Sequence, residues 1–172
     1  MSRELWLLRH AKSDQNILTV DFDRPLNNRG QQAAQRVGGW MKQQGLIPDV
    51  VISSPANRAI STATIVSKAL GIHDNDIRQD KRLYQESLDH MKSVLAGYPV
   101  TAKKVLLVGH NPELEDLLIY LAGAANMPDV DKLLPTAALA RLVMPDDWIK
   151  LPAGCARLLA ITHAKSLSEG GI

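Results

Sequence analysis

Two apolar segments of this chain each run without interruption into a histidine. Glu4 to His10 reads ELWLLRH, and Lys104 to His110 reads KVLLVGH. Short apolar runs without polar alternation are typical of strands that are buried on both faces, as in a parallel sheet covered by helices. Both histidines are then predicted at the carboxyl ends of their strands, which is the edge of an α/β sheet where ligands bind.

A third segment, VVISSPANRAIST (Val50 to Thr62), repeats this arrangement with an arginine. Arg58 follows the apolar run and falls within the first turns of a predicted helix, where it opposes the positive pole unless an anion lies between. Arg9 offers a planar fork that suits two oxygens of a phosphate, and a neutral His10 beside it can act as a nucleophile. The side chains predicted to form a phosphate site are therefore Arg9, His10, Arg58 and His110.

The rest of the chain alternates predicted strands with predicted helices. Strands are predicted at 4–8, 49–53, 104–108, 137–143 and 156–161, and helices after a cap at Asn27 or Asn28 and at 56–70, 86–96 and 112–121. A chain of 172 residues with 45% apolar composition suits one core. We therefore expect an α/β fold: a single domain over 1–172, with a doubly wound, mostly parallel sheet flanked by helices.

Composition argues against several classes of function. The net charge is +2 and charges of both signs are mixed along the chain, so no nucleic-acid partner is expected. The apolar run after Arg3 is too short for a signal peptide or a membrane span, which predicts a cytoplasmic protein without membrane contact. Cys155 is the single cysteine, and Ile161 stands where cysteine phosphatases need arginine. Cys155 is thus predicted to be a small apolar residue in a strand.

Four motifs together resemble those of the histidine phosphatase superfamily: RHAKS, DRPLNNRG, SSPANRAIST and GHNPELEDL. The chain is most similar to the small SixA-type phosphohistidine phosphatases, and the similarity extends in order over nearly the whole chain. The resemblance implies a phosphoglycerate-mutase-like fold, no cofactor, and a two-step reaction with His10 as the nucleophile. It also implies a phosphate pocket formed by Arg9, Arg58 and His110, with a further phosphate contact from Asn16.

The residue that would protonate the leaving group departs from the pattern of many relatives. They have a glutamate where this chain has Gln85, which cannot act as an acid, so Glu86 is the candidate general acid. An imidazole can leave phosphorus with a proton already on its other ring nitrogen, so the missing acid favours a phosphohistidine substrate. Only Ile72 to Lys103 separates the second helix from the strand before His110, which leaves little chain for a lid over small ligands. The expected partner is a phosphorylated protein of signal transduction, such as a histidine-containing phosphotransfer domain.

Three alternatives remain open from the sequence. A small-molecule phosphomonoesterase of the same superfamily would use the same pocket, and a phosphohistidine-binding module would use it without turnover. The segment ILTVDFDRP has the outline of a strand that delivers Asp21 and Asp23, as in magnesium-dependent aspartate phosphatases. Pro25 and the lack of a later acidic pair oppose that interpretation, so metal independence is the preferred hypothesis.

Five other basic residues are predicted to have no part in the chemistry. Arg24 and Arg29 belong to the DRPLNNRG motif and are expected to fix the loop and the start of the next helix. His73, His90 and His163 lack the surroundings of the two strand-end histidines and are predicted to be surface or loop residues.

Overall fold

The structure is a computed structural model that describes residues 2–15 and 18–167. Within these ranges the strands are β1 (Arg3–Arg9), β2 (Val50–Ser53), β3 (Ile77–Gln79), β4 (Lys104–Gly109), β5 (Leu139–Met144) and β6 (Arg157–Thr162). The α-helices are α1 (Asn28–Gln43), α2 (Asn57–Ala69), α3 (Leu88–Ala96) and α4 (Glu113–Ala122). A short 3-10 turn, Asp21–Asp23, lies between β1 and α1.

The described strands form one sheet in the order β3-β2-β4-β1-β5-β6. β1 pairs in parallel with β4, and β2 pairs in parallel with both β3 and β4, whereas β5 is antiparallel to β1 and to β6. Arg9 is level with Gly109, and Ser53 is level with Val108, so the residues that follow β1, β2 and β4 meet at one edge of the sheet. The predicted α/β fold with a mostly parallel sheet is confirmed.

The side chains of β1 alternate between two hydrophobic cores, one on each face of the sheet. Leu5 and Leu7 share a core with α3 and α4, whereas Trp6 and Leu8 share the other core with α1 and α2. All four side chains are fully buried, and full burial of one large apolar side chain is worth about 1.5–3 kcal/mol. This burial explains the uninterrupted apolar run and fixes the end of β1, where Arg9 is located.

The start of α1 packs directly on the loop that follows β1. Asn27, one of the two predicted caps, accepts a hydrogen bond from the Gly30 amide through its side-chain oxygen at 2.8 Å. The Asn27 amide donates to the Lys12 carbonyl at 3.0 Å. A Cβ on Gly30 would overlap the same carbonyl oxygen, so the close approach requires glycine at this position. The chain just beyond His10 is therefore held against the helix.

Three helices begin one or two residues later than predicted. α2 begins at Asn57 because Ala56 is its cap. α3 begins at Leu88 rather than at Glu86 because Ser87 is its cap. Pro112 precedes α4 instead of occupying its first position, since the Pro112 carbonyl accepts the hydrogen bond from the Asp116 amide at 2.9 Å. None of the helices in the described ranges is long and apolar enough to cross a membrane.

The last two strands also begin later than predicted. Ala137 has a left-handed backbone conformation, with a φ of 61°, so the ladder of β5 starts only at Leu139. Cys155 lies before β6 and not in a strand, so its predicted position is wrong. The reason is a turn in which the Cys155 amide donates to the Pro152 carbonyl at 3.2 Å and is lost to the sheet.

Candidate active site

The parallel pairing of β1 with β4 brings His10 and His110 together. Their ring centroids are 5.1 Å apart, and the rings are tilted by 52°. Only 7% of His10 and 6% of His110 is exposed. The His10 amide donates to the Gly109 carbonyl at 3.0 Å, which ties the two strand ends to each other. The predicted pair of strand-end histidines is thus a pair in space.

His10 has the ring form that a nucleophile requires. Its Nδ1 lies 2.7 Å from the Ala11 carbonyl oxygen, and because a carbonyl only accepts, Nδ1 carries the hydrogen and Nε2 keeps its lone pair. Burial lowers the pKa of His10 from 6.5 to about 4, with a further lowering by Arg58 and Arg9. Burial is thus the larger cause of the low pKa of His10, and the guanidinium groups add to it. His10 is neutral at physiological pH.

His110 is also neutral, and a serine orients it. Its Nε2 lies 2.8 Å from Ser54 Oγ, which itself accepts from the Ala56 amide at 3.2 Å. With the serine hydroxyl donating to Nε2, the ring hydrogen would lie on Nδ1, a buried atom without a hydrogen-bond partner among the described residues. Burial lowers the pKa of His110 to about 3, with a smaller contribution from His10. His110 is therefore suited to act as a neutral hydrogen-bonding group and not as a cation.

Arg9 is held by a backbone group from a distant loop. Its Nη1 donates to the Leu134 carbonyl at 3.0 Å, and the Leu134 amide in turn donates to Glu115 Oε2 at 3.0 Å. Asn111 binds both the Leu134 carbonyl and Glu115 through Nδ2, each at 2.9 Å. The buried Nε of Arg9 has no protein partner within the described ranges. One edge of this guanidinium is fixed, and the other retains a donor for an anion.

Arg58 enters the site from the first turn of α2, as predicted. It is 6% exposed, and its Nη1 and Nη2 donate to the Asp21 carbonyl at 2.8 Å and to Asp21 Oδ2 at 3.0 Å. Its buried Nε is unpaired in the part of the chain that the structure describes. The two arginines next to the histidines therefore each keep an unsatisfied buried donor, which is the donor set expected for a phosphate.

Asp21, which the sequence names only in the aspartate-phosphatase alternative, is bound to the arginines of the site. Its Oδ2 accepts from the Tyr84 hydroxyl at 2.6 Å, and its Oδ1 accepts from Arg24 Nη2 at 2.9 Å. The hydrogen bond from Tyr84 and those from Arg24 and Arg58 hold the pKa of this carboxyl well below its usual range. Arg24 also donates to Ser13 Oγ at 2.7 Å, in keeping with its predicted role in fixing the loop.

Thr62 connects the loop of His10 to the helix of Arg58. Its buried hydroxyl accepts from the Ala11 amide at 2.9 Å and donates to the Arg58 carbonyl at 2.7 Å. Ala11 is the residue whose carbonyl fixes the ring form of His10. Thr62 and Ser54 both lie within SSPANRAIST, so the motif contains the signal, although the residue types alone do not show what they bind.

Of the two remaining predicted site residues, Glu86 is not brought into the pocket. Glu86, the candidate acid, is exposed, and its carboxylate lies 3.5 Å from Nδ1 of His90. Within the described residues it makes no hydrogen bond or ion pair with His10 or His110. Asn16 lies outside the described residues, so its predicted phosphate contact stays a prediction.

The alternative with an aspartate nucleophile meets a structural difficulty. The carboxylate of Asp21 is already engaged by Arg24, Arg58 and Tyr84, and Asp23 is exposed. A magnesium-dependent nucleophile would need both its attacking oxygen and its metal-binding oxygen available. Across 2–15 and 18–167, no three His, Cys, Asp or Glu side chains are grouped as metal ligands.

Comparison with known proteins identifies the family. The family described as the Histidine phosphatase superfamily (branch 1) matches residues 5–93, which include Arg9, His10 and Arg58. The chain belongs to the histidine phosphatase superfamily. His110 lies beyond the matched range, but the sheet places it against His10. The predicted family and its phosphoglycerate-mutase-like fold are therefore confirmed.

The chain is also similar to solved structures of SixA proteins. The SixA structure from Agrobacterium tumefaciens is 29% identical with a TM-score of 0.77, over 94% of this chain and 98% of that one. The SixA structure from Nakamurella multipartita is 28% identical with a TM-score of 0.77, over 95% and 96%. An uncharacterised protein of Mycobacterium tuberculosis is 32% identical over 157 residues, which are 88% of this chain and 96% of the relative. These proteins cover nearly the same length as this chain.

Proposed function

We propose that this chain removes the phosphoryl group from phosphohistidine side chains of a partner protein, in the cytoplasm and without a metal ion. The partner is a histidine-containing phosphotransfer domain of a signalling system. Both SixA structures at 28% and 29% identity bear the name of phosphohistidine phosphatases, which supports this choice. The single observation that carries the proposal is a neutral His10 with a free Nε2 lone pair, in a pocket where the described residues offer no available acid.

The first step follows from the ring form of His10. Its Nε2 lone pair attacks phosphorus, and the bond from phosphorus to the substrate imidazole breaks. The departing imidazole takes the bonding pair and leaves as a neutral ring, because its other nitrogen already carries a proton. Arg9 and Arg58 donate to the equatorial oxygens, on which charge accumulates in the transition state. The Nδ1 hydrogen of His110 forms a further hydrogen bond to a phosphoryl oxygen.

The second step restores the histidine. Water attacks the phosphoryl group on Nε2 of His10, the nitrogen takes back its electron pair, and the water protons go to phosphate and solvent. The hydrogen bond from Nδ1 to the Ala11 carbonyl persists through both steps and keeps the ring in one orientation. The enzyme thus ends in the ring form in which it began.

The lack of an available acid among residues 2–15 and 18–167 favours an imidazole leaving group over an alkoxide. An alkoxide leaving group needs a proton from a positioned acid. Gln85 has no acidic proton, Glu86 lies against His90, and Asp21 is held ionised by its neighbours. Phosphohistidine avoids this requirement, so it fits the pocket better than a sugar phosphate or phosphoserine does.

Metal independence follows from the charges already present. The guanidinium groups of Arg9 and Arg58 lie beside the histidine pair, and both retain a buried donor for the phosphoryl oxygens. They supply the electrostatic stabilisation that a magnesium ion gives in other phosphatases.

A substrate panel tests the proposal. A phosphotransfer domain carrying labelled phosphohistidine is compared with a phosphoserine protein and a sugar bisphosphate, with kcat/KM as the readout and with or without chelator. We expect the phosphohistidine protein to be preferred, and rapid quench to trap an acid-labile label on His10. A sugar phosphate preferred by tenfold or more would overturn the proposal in favour of the small-molecule phosphomonoesterase.

A further inference from the structure

The carboxylate of Asp21 faces both the phosphate pocket and the solvent. Its Oδ2 lies 3.0 Å from Arg58, whose side chain is 7% exposed, while the side chain of Asp21 itself is 42% exposed. Tyr84 fixes the carboxylate through a hydrogen bond of 2.6 Å, and the Tyr84 ring lies 5.6 Å from the ring of His110. A negative charge is therefore fixed at the entrance of the site.

This carboxylate reduces the positive charge that the pocket offers to a substrate. Three arginines lower the pKa of His10 through their charge, after the larger effect of burial: Arg58, Arg9 and Arg24. Asp21 binds two of them, and Glu115 acts electrostatically on the third. Three cations and two carboxylates leave about one positive charge for a phosphoryl group that carries about two negative charges. Within this set, no cation is left over for a second anionic group on the substrate.

The geometry of displacement places the leaving group close to Asp21. In phosphoryl transfer the attacking and leaving atoms lie roughly in line on opposite sides of phosphorus. His10 attacks from the buried side, since only 7% of it is exposed, so the leaving group departs toward solvent. Asp21 is the solvent-exposed partner of the buried Arg58, so its carboxylate is open to a group that leaves toward solvent. A cationic leaving group would be attracted there, and an anionic one would be repelled.

We propose, building on the phosphohistidine activity proposed above, that Asp21 determines specificity by favouring neutral or cationic leaving groups and disfavouring substrates with a second anionic group. An imidazole ring, which can carry a proton and a positive charge, belongs to the favoured class. Sugar bisphosphates and phosphorylated carboxylic acids belong to the disfavoured class. Asp21 acts through its charge. The test therefore measures the ratio of kcat/KM between substrates of different charge.

Three aryl phosphates that carry substituents of different charge isolate this effect, because their intrinsic differences in leaving-group ability cancel when a variant is compared with the wild type. They are phenyl phosphate, 3-carboxyphenyl phosphate and 3-(trimethylammonio)phenyl phosphate, and kcat/KM is measured for each at low ionic strength. In Asp21→Asn we expect the preference for the cationic over the anionic ester to fall about tenfold, because one fixed charge near the leaving group is removed. If the substitution also loosens Arg58 and lowers kcat/KM for all three esters, that common loss cancels in the ratio between the cationic and the anionic ester. Added salt should reduce the preference in the wild type.

Asp23→Asn is the matched control. Asp23 is exposed, lies in the same short turn, and loses the same unit of charge on substitution, so its ester ratio should change less than about twofold. An equal change in both variants would show an effect of net charge, and no change in Asp21→Asn would show a purely structural role. Either result overturns the proposal. A wild type inactive on phosphohistidine but with the expected Asp21→Asn ratio would overturn the proposed function and leave the role of Asp21 intact.

Discussion

Mild acidification should destabilise the folded protein because two histidines are buried as neutral rings. Burial, with smaller contributions from nearby charged groups, lowers the pKa of His10 from 6.5 to about 4 and that of His110 from 6.5 to about 3. Between these values and 6.5, the unfolded chain binds protons that the folded chain does not. The free energy of unfolding is therefore highest above pH 6.5 and falls as the pH is lowered through this window.

The size of the effect follows from the two shifts. One pKa unit corresponds to about 1.4 kcal/mol. When the pH falls from about 7 to about 5, each ring lowers the free energy of unfolding by about 1.8 kcal/mol. Both rings together lower it by about 3–4 kcal/mol, which is a large part of the total free energy of unfolding of a typical protein, about 5–15 kcal/mol.

Denaturant unfolding at a series of pH values measures this loss. A variant with both His10→Gln and His110→Gln should be much less sensitive to pH over the same range, because it lacks both titrating rings. His73→Gln, which alters an exposed histidine, should keep the wild-type dependence. If the double variant loses as much stability as the wild type does, the two rings are not the source and the reasoning is refuted.

Four further predictions concern the reaction and the contacts around it. His10→Ala should lower turnover by several orders of magnitude in a labelled-phosphate assay, and full activity would exclude a covalent role. Thr62→Val should cost about 1–3 kcal/mol in denaturant unfolding because the Ala11 amide loses its acceptor, whereas Thr62→Ser should be close to wild type. Ser54→Ala should shift the nitrogen-15 NMR signals of His110 towards a mixture of ring forms, and unchanged signals would contradict its orienting role. Chelator should leave activity intact, while restoration by magnesium would favour the aspartate mechanism.

The sequence predicts the sheet and the histidine pair because both depend on residue types. The strand ELWLL is apolar on both faces, and the side chains of Leu7 and Leu8 do fill two different cores. Parallel pairing then brings His10 and His110 to one edge. These steps need only hydrophobic pattern and strand direction.

Other parts of the site depend on contacts that residue types do not reveal. Leu134 holds Arg9 through its backbone carbonyl, and a backbone contact has no signature in the side chain. The sequence names Asp21 only in the aspartate-phosphatase alternative and does not reveal its bond to Tyr84, because that bond joins residues 63 positions apart. Glu86 is predicted from its place beside Gln85, but α3 starts late and the carboxylate lies against His90.

The central position of β1 has a consequence for how the protein folds. The first strand of the sheet pairs with β4, whose Lys104 lies opposite Glu4, and with β5, whose Leu139 lies opposite Leu8. Both neighbours come about 100 residues or more later in the chain, so closing these loops is slow and β1 keeps two unpaired edges until then. A nascent chain that has completed α2 already holds Arg9, His10 and Arg58, yet β1 still lacks both of its neighbouring strands. Catalytic competence therefore arises late in synthesis, and chains interrupted before β4 are expected to aggregate through this strand.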